Sequence, residues 1–189
     1  MRISNICLVV LFIFLIGCQD NAIERKTESI VFESTEKNLV SIINQKINEK
    51  FGVKIEDFKV TKLLHIEDNT FGQIIFRTNG TEYEGSIYAK ENNGVWDIIN
   101  METLEMDVKA PFTKLQVVGD IPNSATNFHI ISGIVNDERI KSIEITYPSN
   151  ESSVIMIDDY KSYFDVKLGV RTFSKVIAYD EEFNEVSSY

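Results

Sequence analysis

The stretch FGQIIFRTNGTEYEGSIYAKENNGVWDIINM, residues 71–101, decides the fold class, because it repeats a strand pattern between short polar turns. Aromatic and β-branched residues recur in each segment, as in half-buried strands. Together with one segment upstream, the strand patterns cover residues 58–66, 71–77, 82–89 and 95–101, and turn signals lie at EDN (67–69), TNG (78–80) and ENNG (91–94). Such short turns join antiparallel neighbours. The stretch therefore predicts a four-stranded antiparallel meander.

One helix is predicted ahead of this meander. Apolar residues recur at four-residue spacing along one helical face, at Leu39, Ile43 and Ile47. Ser34 has the side chain of an N-cap residue, and Gly52 stands where a left-handed C-cap belongs. We therefore expect an α+β unit over residues 30–110, in which one helix packs on the antiparallel meander.

Beyond Pro111 the sequence contains no helical pattern. Short strand patterns with polar breaks follow instead, at residues 128–135, 140–147, 153–157, 162–169 and 173–180. Their spacing is typical of a small sandwich. We therefore predict a small all-β, immunoglobulin-like sandwich over residues 111–189, which lacks the cysteine and tryptophan pattern of antibody domains. The two units are expected to pack as separate domains.

The first residues have the layout of a bacterial export signal. Arg2 is followed by an uncharged apolar run at residues 6–16. This run is shorter than the roughly 20 residues that a membrane-spanning helix needs, and its length is typical of the hydrophobic part of a signal peptide. Residues 1–17 are therefore predicted to be a signal peptide rather than a membrane span.

The sequence LIGC at residues 15–18 resembles the bacterial lipobox, in which a cysteine thiol receives a diacylglyceryl group before cleavage makes that cysteine residue one. Cys18 is therefore predicted to be the lipidation site. The alternative is an ordinary secretory signal in which the cysteine is incidental. Residues 18–29 are mostly polar and are interpreted as a tether. The protein would then be extracytoplasmic and anchored to the cell membrane by fatty acyl chains.

The charge balance argues against several classes of partner. The sequence has 19 Lys plus Arg against 29 Asp plus Glu, a formal net charge of −10. Such an acidic chain is repelled by nucleic acid and by anionic lipid headgroups. We therefore expect no nucleic-acid partner and no electrostatic attachment to the bilayer.

Three further segments carry a family resemblance. They are NNGVWDIINM (92–101), SGIVNDERIKSIEITY (132–147) and KVIAYDEEFNEV (175–186). In these segments the chain resembles uncharacterised secreted proteins and lipoproteins of Bacillus-type bacteria. The resemblance implies the location and the strand-rich fold, and it contributes no catalytic residue.

The sequence offers few groups for catalysis. Ser34 and Lys37 have the Ser-x-x-Lys spacing of penicillin-recognising enzymes, but no Lys-Thr-Gly or Ser-Asp-Asn partner follows, so helix capping explains Ser34 better. His65 and His129 lie in predicted strands without metal-ligand spacing and are interpreted as sheet residues. Trp96 is predicted to lie in the core. No catalytic residue and no cofactor are predicted.

Acidic residues cluster at predicted turns. Asp180, Glu182 and Asn184 have the alternating spacing of the first half of a calcium loop. The sixth position, which requires glycine in such loops, is Glu185. A solvated hairpin turn is therefore predicted there, with no metal site. Two further acid pairs are also expected to be turn residues, namely Asp158–Asp159 and Glu67–Asp68.

These observations favour a lipid-anchored extracytoplasmic module of the bacterial cell envelope that binds or scaffolds an envelope protein or polymer. The alternative is a small extracytoplasmic hydrolase that uses a pair of carboxylates, which requires a pocket that separates their pKa values. A deep cleft with convergent carboxylates would favour the hydrolase, whereas a filled core with exposed sheet edges would favour the binding module.

Overall fold

The computed structural model describes residues 34–148, 151–173 and 175–189, which form one helix and eleven strands. The first elements are α1 (Ser34–Phe51), β1 (Glu56–Ile66), β2 (Asn69–Thr78), β3 (Thr81–Asn92) and β4 (Val95–Glu105). The later strands are β5 (Leu115–Asp120), β6 (Asn127–Ile134), β7 (Ser142–Thr146), β8 (Ser152–Met156), β9 (Ser162–Leu168), β10 (Lys175–Tyr179) and β11 (Glu185–Ser188). The described part is therefore mostly antiparallel β-sheet with one helix.

The first four strands form an antiparallel sheet in the order β1-β2-β3-β4, and α1 packs on one of its faces. Leu39, Ile43 and Ile47 are fully buried in the cluster between them, which confirms the predicted helical face. After the helix, Gly52 has a φ of 66° and donates its backbone N–H to the Asn48 carbonyl at 2.9 Å. Glycine adopts this left-handed conformation without a Cβ clash, so the predicted C-cap is also confirmed.

Two Asn-Gly turns set the register of this meander. Asn79–Gly80 joins β2 to β3 and Asn93–Gly94 joins β3 to β4, and all four residues have positive φ. Two-residue turns of this kind match the twist of antiparallel strands. They hold β3 between two neighbours with Glu84, Ser86 and Tyr88 on the face opposite α1. The predicted four-stranded meander is confirmed.

The remaining strands form two further antiparallel sheets, with the orders β5-β6-β9 and β11-β10-β7-β8. The five strands predicted beyond Pro111 are all present as β6 to β10. The sequence pattern misses β5 and β11, which are edge strands. β5 contains Gly119, and β11 has Val186 as its one apolar residue. Pairing with a neighbour, rather than local pattern, therefore defines both strands.

The sheet β5-β6-β9 is the middle layer of the molecule. Its central strand β6 is buried at seven of eight positions. Phe128 and Ile130 share an apolar cluster with Phe71 of the meander, whereas Ile131 shares a cluster with Ile143 of the outer sheet. Successive side chains of a strand point to opposite faces, so β6 is covered on both. The layers therefore follow one another as α1, the meander, the middle sheet and the outer sheet.

An aromatic group joins the meander to the middle sheet. The ring centroids of Phe71 and Tyr88 lie 5.0 Å apart. The Phe128 ring centroid lies 5.4 Å from that of Phe71 and 4.8 Å from that of Tyr88. Such ring pairs contribute about 0.5–1.5 kcal/mol each beyond the area they bury. Their cluster takes side chains from both units predicted from the sequence, 30–110 and 111–189. Whether each unit folds by itself stays a prediction.

Candidate functional site

A set of buried polar groups lies between the meander and the middle sheet. We call this set the polar seam; its members are Thr61, Gln73, Glu84, Ser86, Thr113 and Ser132. The hydroxyls of Ser86 and Ser132 are hydrogen-bonded at 2.8 Å, and the Gln73 amide donates to the Gly133 carbonyl at 3.1 Å. These bonds cross from one sheet to the other, so the polar seam orients the two sheets as well as joining them.

Glu84 is the ionisable residue of the polar seam. Its side chain is fully buried, and among the described residues its two carboxyl oxygens accept no hydrogen bond of ordinary geometry. Burial raises the pKa of Glu84 to about 8, because the charged form loses its hydration. The nearby Thr113 hydroxyl opposes this shift less strongly. Glu84 is therefore an uncharged acid at neutral pH, and it is sealed from any substrate in solution.

A second buried polar group lies inside the sandwich. The Tyr147 hydroxyl donates to Oδ2 of Asp165 at 2.8 Å, and both residues are buried. His129 is buried beside them, with its ring centroid 6.3 Å from that of Tyr147. Burial lowers the pKa of His129, and the Thr172 backbone and Asp165 oppose this shift less strongly. His129 and His65 both lie in strands, as predicted, and His129 has no route to solvent.

The acid pairs predicted at turns divide into two cases. Glu67 and Asp68 are exposed in the turn between β1 and β2, as predicted. Asp159 is also exposed. Asp158 also lies at a turn, since its carbonyl accepts the Lys161 N–H at 2.9 Å, but its side chain is 7% exposed and forms an ion pair with Lys62 of β1. Asp158 is therefore a contact between the sandwich and the meander rather than an acid that water satisfies.

A small cleft opens at the end of the meander where the turns lie. Its volume is about 240 Å³, and its lining includes His65, Glu67, Asp68, Glu91 and Trp96. His65 Nε2 lies 3.1 Å from Oε1 of Glu36, and Nδ1 lies 2.8 Å from the Thr70 hydroxyl. Trp96 is 8% exposed and belongs to the core cluster under α1, as predicted.

The DEEFNE segment forms the predicted hairpin turn between β10 and β11. Oδ1 of Asp180 accepts the backbone N–H groups of Glu182 at 2.9 Å and Asn184 at 2.8 Å. The Asn184 side chain also donates to Oδ2 of Asp180 at 3.1 Å. These bonds lower the pKa of Asp180, with the Asn184 backbone N–H as the largest cause. In the described ranges, no three or more His, Cys, Asp and Glu side chains are grouped to hold a metal ion.

Adding calcium or a chelator should leave the melting temperature of the protein unchanged, because the carboxylate oxygens of Asp180 already accept N–H groups of their own turn. A thermal scan checks this. A ligand that binds only the folded state raises stability by about 2.7 kcal/mol at 100 times its dissociation constant. A calcium-dependent rise that Asp180→Ala removes and the neighbouring control Glu181→Ala keeps would contradict the prediction.

Three loops meet at one end of the sandwich, and we call this region the loop end. It comprises the β6–β7 loop (135–141), the β8–β9 loop (157–161) and the β10–β11 loop (180–184). Lys161 Nζ lies 3.0 Å from Oε1 of Glu138, which joins two of the loops. The Lys141 backbone N–H donates to the carbonyl of Tyr179, the residue before the β10–β11 loop, at 2.8 Å, so the third loop is also adjacent. Ionisable and apolar side chains are exposed together at the loop end.

Some residues predicted from the sequence lie outside the described part of the chain. Two buried acids were not predicted from the sequence. Cys18, the signal peptide 1–17 and the tether 18–29 fall outside the described residues, as does the side chain of Ser34. The sequence reasoning missed Glu84 and Asp165. Both occupy strands at polar positions that only a covering layer buries, so no local signal identifies them.

Comparisons with family models, curated proteins and solved structures found no match to this chain. Within the described ranges, no helix has both the length and the apolar character needed to cross a bilayer.

Proposed function

We propose that the protein is a lipid-anchored extracytoplasmic module of a bacterial cell envelope, and that it binds or scaffolds another envelope component. The LIGC sequence at residues 15–18 supports the anchor, with Cys18 as the acylated residue. Two acyl chains suffice for durable anchoring, whereas a single chain binds marginally. The formal net charge of −10 adds no attraction to anionic headgroups, so the lipid would be the membrane contact.

The binding role is supported by one observation: the two acids that lie among buried polar groups are closed off from solvent. Glu84 and Asp165 are 0% and 2% exposed, and they lie in different inter-layer spaces. A hydrolase that uses a carboxylate pair needs both groups at one accessible cleft. The described surface offers the small cleft beside Glu67, Asp68 and Glu91, together with loops and sheet edges. Loops and sheet edges are the surfaces that binding modules use. This contrast favours binding over hydrolysis.

We further propose that residues 111–189 have immunoglobulin-like topology. The orders β5-β6-β9 and β11-β10-β7-β8 support it, since β8 pairs with β7, the chain then crosses to β9, and it returns to β10. This is the path of a Greek-key sandwich. In antibody variable domains the loops that correspond to β6–β7 and β10–β11 lie at one end and bind antigen. The loop end is therefore the first surface to test for binding.

Changing Cys18→Ala should move the protein from the membrane fraction to the soluble or secreted fraction, because the variant has no thiol at residue 18 to acylate. Cell fractionation with a carbonate wash measures the change. The control is Cys7→Ala, which removes the other cysteine of the chain from within the predicted signal peptide. This control variant should stay with the membranes. Retention of Cys18→Ala in washed membranes would mean that another group forms the anchor.

A further inference from the structure

The backbone of Phe183 has an unusual conformation for its residue type. Seven non-glycine residues of the described part have positive φ, and Phe183, at 61°, is the one with an apolar side chain. Asn and Asp tolerate this region, whereas a bulky residue there is an outlier. The Phe183 side chain is 71% exposed, so burial in the core does not compensate for the strain. Strain of this kind is concentrated at functional sites.

The turn that displays Phe183 is held by its own hydrogen bonds. The Phe183 N–H donates to the Asp180 carbonyl at 3.2 Å, and the Asp180 N–H donates to the Asn184 carbonyl at 3.1 Å. The Asp180 carboxylate accepts two more backbone N–H groups of the same turn. The aromatic ring is therefore presented by a fixed loop. Because the loop is already ordered, it loses less conformational entropy when a partner binds.

A second exposed aromatic residue lies on the other side of the loop end. Tyr160 is 46% exposed, and Met156 at the end of β8 is 65% exposed. The outer sheet has the order β11-β10-β7-β8, so the β10–β11 and β8–β9 loops leave strands that are two positions apart. At the usual strand spacing this separation is roughly 10 Å, about three residues of an extended chain. The loop end can thus contact apolar side chains at two places along one segment.

The charges of the loop end determine which sign of charge a partner should carry. Its three loops contain seven acidic and three basic residues. The basic side chains are already engaged, since Arg139 pairs with Asp137 at 2.6 Å and Lys161 with Glu138 at 3.0 Å, while Lys141 donates to the Glu138 carbonyl at 2.8 Å. Among the acids of these loops, Asp137, Glu138 and Asp158 are ion-paired, and the Asp180 carboxylate accepts hydrogen bonds of its own turn. In the described part this leaves Asp159, Glu181 and Glu182 without an ion pair. A cationic partner complements this field.

We infer that the loop end binds a basic polypeptide segment, with Phe183 and Tyr160 contacting its apolar side chains and Asp159, Glu181 and Glu182 facing its Lys and Arg residues. This inference rests on the proposed binding function. Lys and Arg suit the site because their aliphatic stems pack on aromatic rings while their charges meet the carboxylates. A neutral polysaccharide would cover these carboxylates without pairing them, which is unfavourable.

The test uses the full-length protein in nanodiscs of zwitterionic lipid and three short fluorescent peptides. One peptide contains Lys and Leu, one contains Glu and Leu, and one contains Lys and Ser. Fluorescence anisotropy should show binding of the Lys–Leu peptide, and Phe183→Gly should weaken it about tenfold, the loss typical of truncating an interface aromatic. The control Val95→Ala truncates a similarly exposed apolar residue at the start of β4 and should leave binding unchanged.

Phe183→Gly also separates a binding role from a structural one, because glycine adopts a φ of 61° without strain and the variant should melt at a higher temperature. A more stable variant that binds the peptide less well supports the inference. Equal binding by Phe183→Gly and the unchanged protein would overturn it. Equal binding of the Glu–Leu peptide would overturn the charge assignment. Failure of the lipid anchor would appear instead in the fractionation of Cys18→Ala, which does not depend on peptide binding.

Discussion

Glu84→Gln should stabilise the protein by an amount that grows as the pH rises from about 5 to 8. The folded-state pKa of Glu84 is about 8, against 4.5 for the exposed group. Below the lower value both states are protonated, so burial of Glu84 incurs no ionisation penalty. Between the two values the unfolded state is ionised and the folded state is neutral, so folding takes up a proton and stability falls as the pH rises. The slope is about 1.4 kcal/mol per pH unit, and the full window amounts to roughly 5 kcal/mol.

Urea unfolding of the two proteins across this pH range measures the effect. The amide of Gln has nearly the shape of the acid and cannot ionise, so the free energy of unfolding of Glu84→Gln should be almost independent of this group. A matched control is Glu102→Gln, an exposed residue that faces Ser86 across β3 and β4. It should keep the pH dependence of the unchanged protein. Parallel curves for Glu84→Gln and the unchanged protein would mean that Glu84 is hydrated in solution.

Gly133→Ala should destabilise the protein by about 3 kcal/mol or more, at the upper end of the range for overpacked cores. A Cβ at this position would overlap the Thr113 carbonyl oxygen and lie 2.5 Å from Cε1 of Tyr163. The carbonyl cannot retreat easily, because the Tyr163 hydroxyl donates to it at 2.7 Å. The Thr113 backbone N–H is also bonded to the Ile134 carbonyl at 2.8 Å. The new methyl group would therefore push Thr113 away from β6 and displace the Tyr163 ring.

Chemical denaturation measures the loss, and Gly72→Ala is the matched control. The Cβ added at Gly72 would lie 2.8 Å from Cδ2 of Leu63, which is the end of a flexible side chain and can rotate away. Gly72→Ala should therefore cost clearly less than Gly133→Ala. Equal losses in the two variants would show that the contact between Thr113 and β6 yields as readily as a leucine side chain.

Much of this fold is predictable because the sequence pattern within each element specifies that element. The helix follows from apolar residues every four positions with Gly52 after them, and the meander follows from alternation between Asn-Gly turns. These signals act over a few residues, so the chain near each element specifies it. The hairpin at Asp180 is predictable for the same reason, because an aspartate bonds to backbone groups of its own turn.

The candidate site depends less on local pattern. The acids at 180–182 could be placed at a turn from sequence, and the adjacency of this turn to the loops that carry Glu138 and Tyr160 follows from strand order. The exposure of Phe183 and its positive φ could not be predicted, since they arise from the hydrogen bonds that close the turn.

The sequence by itself determined the helix, the strands of the meander and the turn residues, because each depends on neighbours in the chain. Only the tertiary structure decided which polar residues are buried. Glu84 lies at a polar position of the alternating strand β3. It is buried because a sheet formed by later residues covers the face of β3 on which Glu84 lies. Asp158 meets Lys62 across 96 residues of sequence. Burial of a residue depends on which layer packs against its face of the sheet, and the residues of the strand itself do not specify that layer.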